Sequence, residues 1–104
     1  PPARADEPRM LLLDEPTASL DPGHRLAVMR LVRQLAGEGI GVLVALHDLS
    51  DALRFTDEAI LLTAGQVRAQ GATAAVLDGA TVTEAYGASA EVVQLAGQPV
   101  VVFR

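Results

Sequence analysis

The sequence predicts an α/β fold with a parallel sheet. Two short continuous apolar runs, Met10-Leu13 and Val42-Leu46, are separated by a helix-length amphipathic stretch. A further stretch, "DLSDALRFT", follows the second run and leads into a third, "EAILL", ending at Leu62. Apolar runs without alternation are what strands covered on both faces look like, and strand–helix–strand alternation implies parallel pairing by right-handed crossovers.

Each element has a local reason. Residues 1–9, within the polar, proline-rich opening "PPARADEPRM", read as an exposed linker or the edge of a longer chain. Met10-Leu13 is the first buried strand. Asp21 and Pro22 start a helix, with Asp as N-cap and Pro at the first helical position. Val28, Leu31, Val32 and Leu35 make its core stripe, and Gly37 is placed to end it. "DLSDALRFT" suggests a short helix, and the acids from Asp48 to Glu58 a solvated face. "TAGQVRAQG" reads as a turn and a short strand, and Thr73-Leu77 as one or two helical turns. Thr81-Glu84, "TVTE", fits a capping box opening a helix that stops at Gly87. "EVVQL" and "PVVVF" flank Ala96-Gly97-Gln98 as a closing hairpin. The chain thus divides into a core over residues 10–64 and a C-terminal extension of the same domain over residues 65–104.

Composition narrows the function. Half of the 104 residues are hydrophobic but only three are aromatic, so Ala, Val and Leu must build the core. A formal net charge of −5 with no basic stripe argues against nucleic acid as a partner. Cysteine is absent, which excludes disulfides and thiolate metal sites. No apolar run approaches the ~20 residues that cross a bilayer.

The chemistry lies at the strand ends, where parallel α/β sheets bind ligands. Asp14 and Glu15 stand just past the first strand and His47 just past the second. If the two strands are neighbours, the three side chains meet on one edge. An apolar strand ending in Asp is the pattern that holds Mg²⁺ on the β- and γ-phosphates, and an adjacent Glu can polarise the attacking water. His47 could donate to the γ-phosphate, or hold Glu15 and the water in line. The bland alternatives are a solvated strand end for the acids and a plain surface position for His24. Asp21 can be an N-cap and helix-dipole partner, and Ser19 a small loop residue.

"LLLDEPTASLD" together with "LHD" resembles the ATP-binding subunits of ABC transporters, and the resemblance covers nearly the whole chain. It implies a P-loop NTPase-like core with a small C-terminal hairpin and helix extension. Leu11-Glu15 resembles the Walker B segment, which implies Asp14 on Mg²⁺ through water and Glu15 as catalytic base. Ala18-Asp21 resembles the D-loop, which implies that Ser19, Leu20 and Asp21 lie at a dimer interface. His47 resembles the switch histidine that senses the γ-phosphate of ATP. "TEAYGASAEVV" and "QPVVVF" resemble importers of haem, ferric siderophores or cobalamin, and the proline-rich lead is similar to that of haem importers. The implied partners are a second ATPase subunit, transmembrane permease subunits and, indirectly, a substrate-binding protein. The implied place is peripheral, on the cytoplasmic face of the membrane. The chain departs from the family in lacking GxxxxGK[ST], the glutamine loop and the LSGGQ-type signature, which would precede Pro1. It is therefore expected to be inactive alone. A soluble ABC ATPase and a non-catalytic regulatory module are the rival readings.

Overall fold

The computed structural model describes residues 9–104, and the opening linker expected before Arg9 lies outside them. The chain packs as two units, one ending at His47 and the other spanning Asp48–Arg104.

In the first unit, β1 (Met10–Asp14) and β2 (Gly41–Ala45) pair in parallel, joined through α1 (Pro22–Gly37). The register sets Leu12 opposite Leu43 and Asp14 opposite Ala45, so both strands end together. Helix α1 starts as the sequence predicts. The Asp21 carboxylate accepts the His24 N–H, and Pro22 needs no partner in the first turn. Its end lies further on. Gly37 is the last helical residue, and Gly39, with φ +89°, takes the left-handed position. The Gly39 N–H bonds to Ala36 and the Ile40 N–H to Leu35, so orphan carbonyls of the last turn are satisfied as in a Schellman cap.

Two expectations for this unit are corrected. Among the described residues the strands are covered on one face only: Met10 and Leu12 are each 70% exposed and Leu43 is 59% exposed. One face of the pair is apolar yet open, while Leu11, Leu13, Val42 and Val44 are half-buried on the other. The core stripe of α1 differs at one position: Val32 is buried and Val28 and Leu35 half-buried, as expected, but Met29 takes the place of Leu31. Met29 and Val32 are buried, flanked by Arg25 and Ala36, whereas Leu31 lies 53% exposed at the stripe's edge. Spacings of 3 and 4 fit either set, so the pattern alone did not choose between Met29 and Leu31.

The second unit runs α2 (Leu49–Phe55), β3 (Glu58–Thr63), β4 (Gln66–Ala72), α3 (Thr73–Val76), α4 (Gly79–Tyr86), β5 (Ala90–Leu95) and β6 (Gln98–Phe103). The third strand was expected to pair in parallel. It pairs antiparallel with β4 instead. The connection is two residues long, and Ala64 (φ 50°) and Gly65 (φ 73°) both turn left-handed, which folds the chain straight back. Ala96 and Gly97, at φ 52° and 74°, do the same between β5 and β6. Helix α4 begins two residues before the expected capping box. Asp78 is the N-cap and accepts the Thr81 N–H at 2.7 Å, so Thr81 sits inside the first turn. Gly87, at φ 70°, ends it as predicted.

Leu61, Val76, Leu77 and Val82 form the buried cluster of this unit. Hydroxyls tie its layers together. Buried Thr73 shares a 2.8 Å hydrogen bond with Thr56. Thr83 Oγ1 donates to the Gly79 carbonyl and accepts the Ala90 N–H, locking α4 to β5. A side chain at Gly79 would put its Cβ 2.9 Å from the Ala90 carbonyl oxygen, so the contact demands glycine. Ser50 Oγ accepts the Val101 N–H, capping a strand edge with a helix residue.

Candidate functional site at the carboxyl end of the parallel pair

The end of β1 does not simply run out into solvent. The Glu15 N–H bonds to the Ala45 carbonyl at 2.9 Å, extending the ladder one residue past Asp14. Glu15 itself then adopts φ 49°, a left-handed conformation that costs a non-glycine residue about 1–3 kcal/mol. The chain turns sharply there, and the Glu15 carboxylate meets the His47 imidazole through Oε1 and Nε2. The parallel register is what allows it: His47 lies two residues beyond Ala45, where the strand paired with β1 ends.

Asp14 closes β1 as an exposed residue, one position before Glu15 in the chain. Its place suits a cation that takes one carboxylate and keeps its waters, as Mg²⁺ does. Among the described residues no three His, Cys, Asp or Glu side chains converge as a metal cage. Transition-metal chemistry of the His₂-carboxylate kind therefore has no donor set in these residues.

Beyond Glu15 the loop is a closed local unit. The Ala18 N–H bonds to the Glu15 carbonyl and the Leu20 N–H to the Thr17 carbonyl. Ser19 is left-handed, with φ 66°, and Ser19, Leu20 and Asp21 are all exposed. Asp21 ends the loop, and both of its oxygens are used. One accepts the His24 N–H at 2.8 Å and the other lies 2.7 Å from His24 Nδ1. The backbone bond from His24, with its ring bond second, holds the Asp21 carboxyl below its ordinary value of 3.8.

The structure thus brings Glu15 and His47 into contact and places Ser19 to Asp21 in the loop that follows; Asp14 stays on the exposed face of β1 with Met10 and Leu12, and the expected meeting of all three side chains is not seen among the described residues. The sequence reading missed His24, which it left as a surface position. His24 is exposed, as read, yet it is paired. The available signal was spacing: an N-cap Asp with a ring donor three residues on, where a capping box carries Glu or Gln.

Comparison with known proteins bears on the chain as a whole. No family model matches the chain. It is 45% identical over 86 residues to the hemin import ATP-binding protein HmuV of Rhizobium meliloti (strain 1021), covering 83% of this chain and 33% of the relative. The protein of the same name from Bordetella avium (strain 197N) is 46% identical over 91 residues, covering 86% and 35%. The chain therefore spans about a third of the length of these relatives and matches their C-terminal part. Among solved structures, an ABC transporter in an inward-facing conformation superposes with a TM-score of 0.78 over 92% of this chain and 39% of its own, at 22% identity, a likeness of fold.

Proposed function

We propose, from the chain's homology to the C-terminal part of hemin import ATP-binding proteins and its likeness to ABC transporter ATPase domains, that it is the C-terminal part of the ATP-hydrolysing subunit of an ABC importer, its cargo haem or another iron chelate. The observation that carries this reading is the contact of Glu15 with His47 at the shared end of two parallel strands. It pairs a carboxylate able to take a proton with an imidazole able to give a hydrogen bond; the backbone of Glu15 is tied to Ala45, and His47 follows two residues later.

In this reading Asp14 would hold Mg²⁺, which supplies charge neutralisation across the β- and γ-phosphates. Glu15 is the general base. Its carboxylate orients a water and polarises it for attack on the γ-phosphate. His47 holds that carboxylate in the present arrangement, and the same ring nitrogen can instead donate to a γ-phosphate oxygen. A charge-assisted bond of that kind vanishes once the phosphate leaves, so it reports nucleotide state. The exposed loop from Ser19 to Asp21 faces a second ATPase subunit. Permease subunits and, through them, a substrate-binding protein complete the importer. No described helix is long and apolar enough to cross a membrane, which fits a subunit held peripherally at the cytoplasmic face.

The test uses the full-length subunit. Glu15→Gln keeps ATP binding and loses ~10²–10⁴ in hydrolysis, the range for losing a general base. ATP-bound dimers accumulate as a result. Near-normal turnover in the Gln variant overturns the assignment.

A further inference from the structure

We propose that His24 is a positioning residue for hydrolysis: its ring Nδ1–H and its backbone N–H grip the two oxygens of Asp21 and so fix the loop that faces the second subunit. The inference rests on the ATPase reading above and adds to it a residue which that reading leaves out.

The loop from Glu15 to Asp21 meets α1 at Asp21, whose carbonyl also accepts the Arg25 N–H at 2.9 Å. Its internal bonds, Ala18 to Glu15 and Leu20 to Thr17, shape it but do not fasten it to α1. Asp21 does that. One carboxylate oxygen takes the His24 N–H, an ordinary cap. The second takes the ring, 2.7 Å away. A capped carboxylate with one oxygen bound can still turn about its own axis. With both bound it cannot, and the direction of the chain entering from Ser19, already left-handed at φ 66°, is set with it.

The geometry also specifies the ring. To donate from Nδ1, a neutral His24 must carry its proton there, which leaves Nε2 as an outward acceptor on a side chain that is 75% exposed. Two roles for His24 can then be separated. Capping uses only the backbone N–H, which any residue but proline supplies. Positioning uses the ring nitrogen nearest the backbone. Asparagine places its amide N–H near that nitrogen, whereas glutamine reaches towards Nε2.

The experiment compares His24→Ala, His24→Asn and His24→Gln in the full-length subunit with its permease. It measures kcat, KM for Mg-ATP, melting temperature, and dimer formation with a non-hydrolysable ATP analogue. His24→Ala is expected to lower kcat and dimer formation by about threefold to tenfold, the range of one net hydrogen bond, with KM unchanged and only a small fall in melting temperature. His24→Asn restores both and His24→Gln does not. Full activity in His24→Ala overturns the proposal, as does equal rescue by Gln, or a fall in melting temperature that accounts for the lost activity. Glu15→Gln runs alongside. If it is inactive while His24→Ala is normal, only the positioning role fails. If it turns over normally, the ATPase reading fails and takes this proposal with it.

Discussion

The two units of the chain solve different problems. Among the described residues, the unit ending at His47 buries Met29 and Val32 and leaves Met10, Leu12 and Leu43 open on one sheet face. The unit from Asp48 buries Leu61, Val76, Leu77 and Val82 together with the hydroxyl of Thr73, and it pins helix to strand through Thr83 and Ser50. Strain is also spent differently. In the first unit the left-handed non-glycine residues are Glu15 and Ser19, both in the candidate site. In the second they are Ala64 and Ala96, both first residues of hairpin turns. Chemistry-bearing side chains thus sit on a thinly packed sheet end, while packing density is concentrated where no catalytic group is assigned.

The comparison is broken most directly by truncating one leucine in each unit. Leu77 is 2% exposed within the buried cluster, so Leu77→Ala is expected to cost about 2–5 kcal/mol. Leu12, at 70% exposed, has little to lose, and Leu12→Ala is expected to fall within about 0.5 kcal/mol of the parent. Urea unfolding of the two variants reads the difference. A loss at Leu12 as large as that at Leu77 would show that the open sheet face is packed against something in solution.

A smaller effect sharpens the contrast in strain. Ala96 stands at φ 52° followed by Gly97, where two-residue turns favour Asn-Gly. Ala96→Asn is expected to stabilise the protein by roughly 0.5–1 kcal/mol, part of the penalty a non-glycine residue bears in the left-handed region. Hydrolysis in the full-length subunit should be untouched. The corresponding relief at Glu15 would remove the proposed base itself, which is why strain can be engineered away in one unit and not in the other. A lower thermal midpoint for Ala96→Asn would contradict the turn assignment.

Legibility in the sequence followed how local the signal was. Asp21-Pro22, Gly87 and the two glycine-containing turns each act through neighbouring residues, and the structure places them as read. The cap of α4 was misplaced because Thr81 and Glu84 imitate a capping box inside a helix that Asp78 had already opened. The antiparallel β3–β4 pairing and the open face of β1 were hidden for a different reason. Both depend on what lies beside a strand, and a continuous apolar run reads the same whether it is covered or not. The site was legible as residue types at strand ends. The register that joins Glu15 to His47, and the ring bond of His24 to Asp21, needed coordinates.

The smallest expected effect concerns acid. Asp21 and Asp78 cap one helix in each unit, and both carboxyls are held below their ordinary value of 3.8. At Asp78 the Thr81 N–H is the main cause and the Thr81 side chain adds to it. A carboxyl with a lowered folded value binds its proton more readily once unfolded. The stability it contributes is therefore present above its unfolded value and is lost as pH falls through the folded one. Both caps are open to solvent, so each loss is small and salt-sensitive. Asparagine keeps the capping oxygen without the titration. Melting of the parent, Asp21→Asn and Asp78→Asn from pH 7 to pH 2 should show each Asn variant gaining on the parent as pH drops below the ordinary carboxylate range. The gain at Asp21 should come with an imidazole partner effect, because Asp21→Asn also weakens the charge-assisted bond to His24, whereas the side-chain partner of Asp78 is Thr81. Changing His24 to Ala should then reduce the acid response at Asp21 and leave that at Asp78 unchanged. A stability difference between parent and Asn variants that stays constant across this range would mean that neither cap is tuned by its helix.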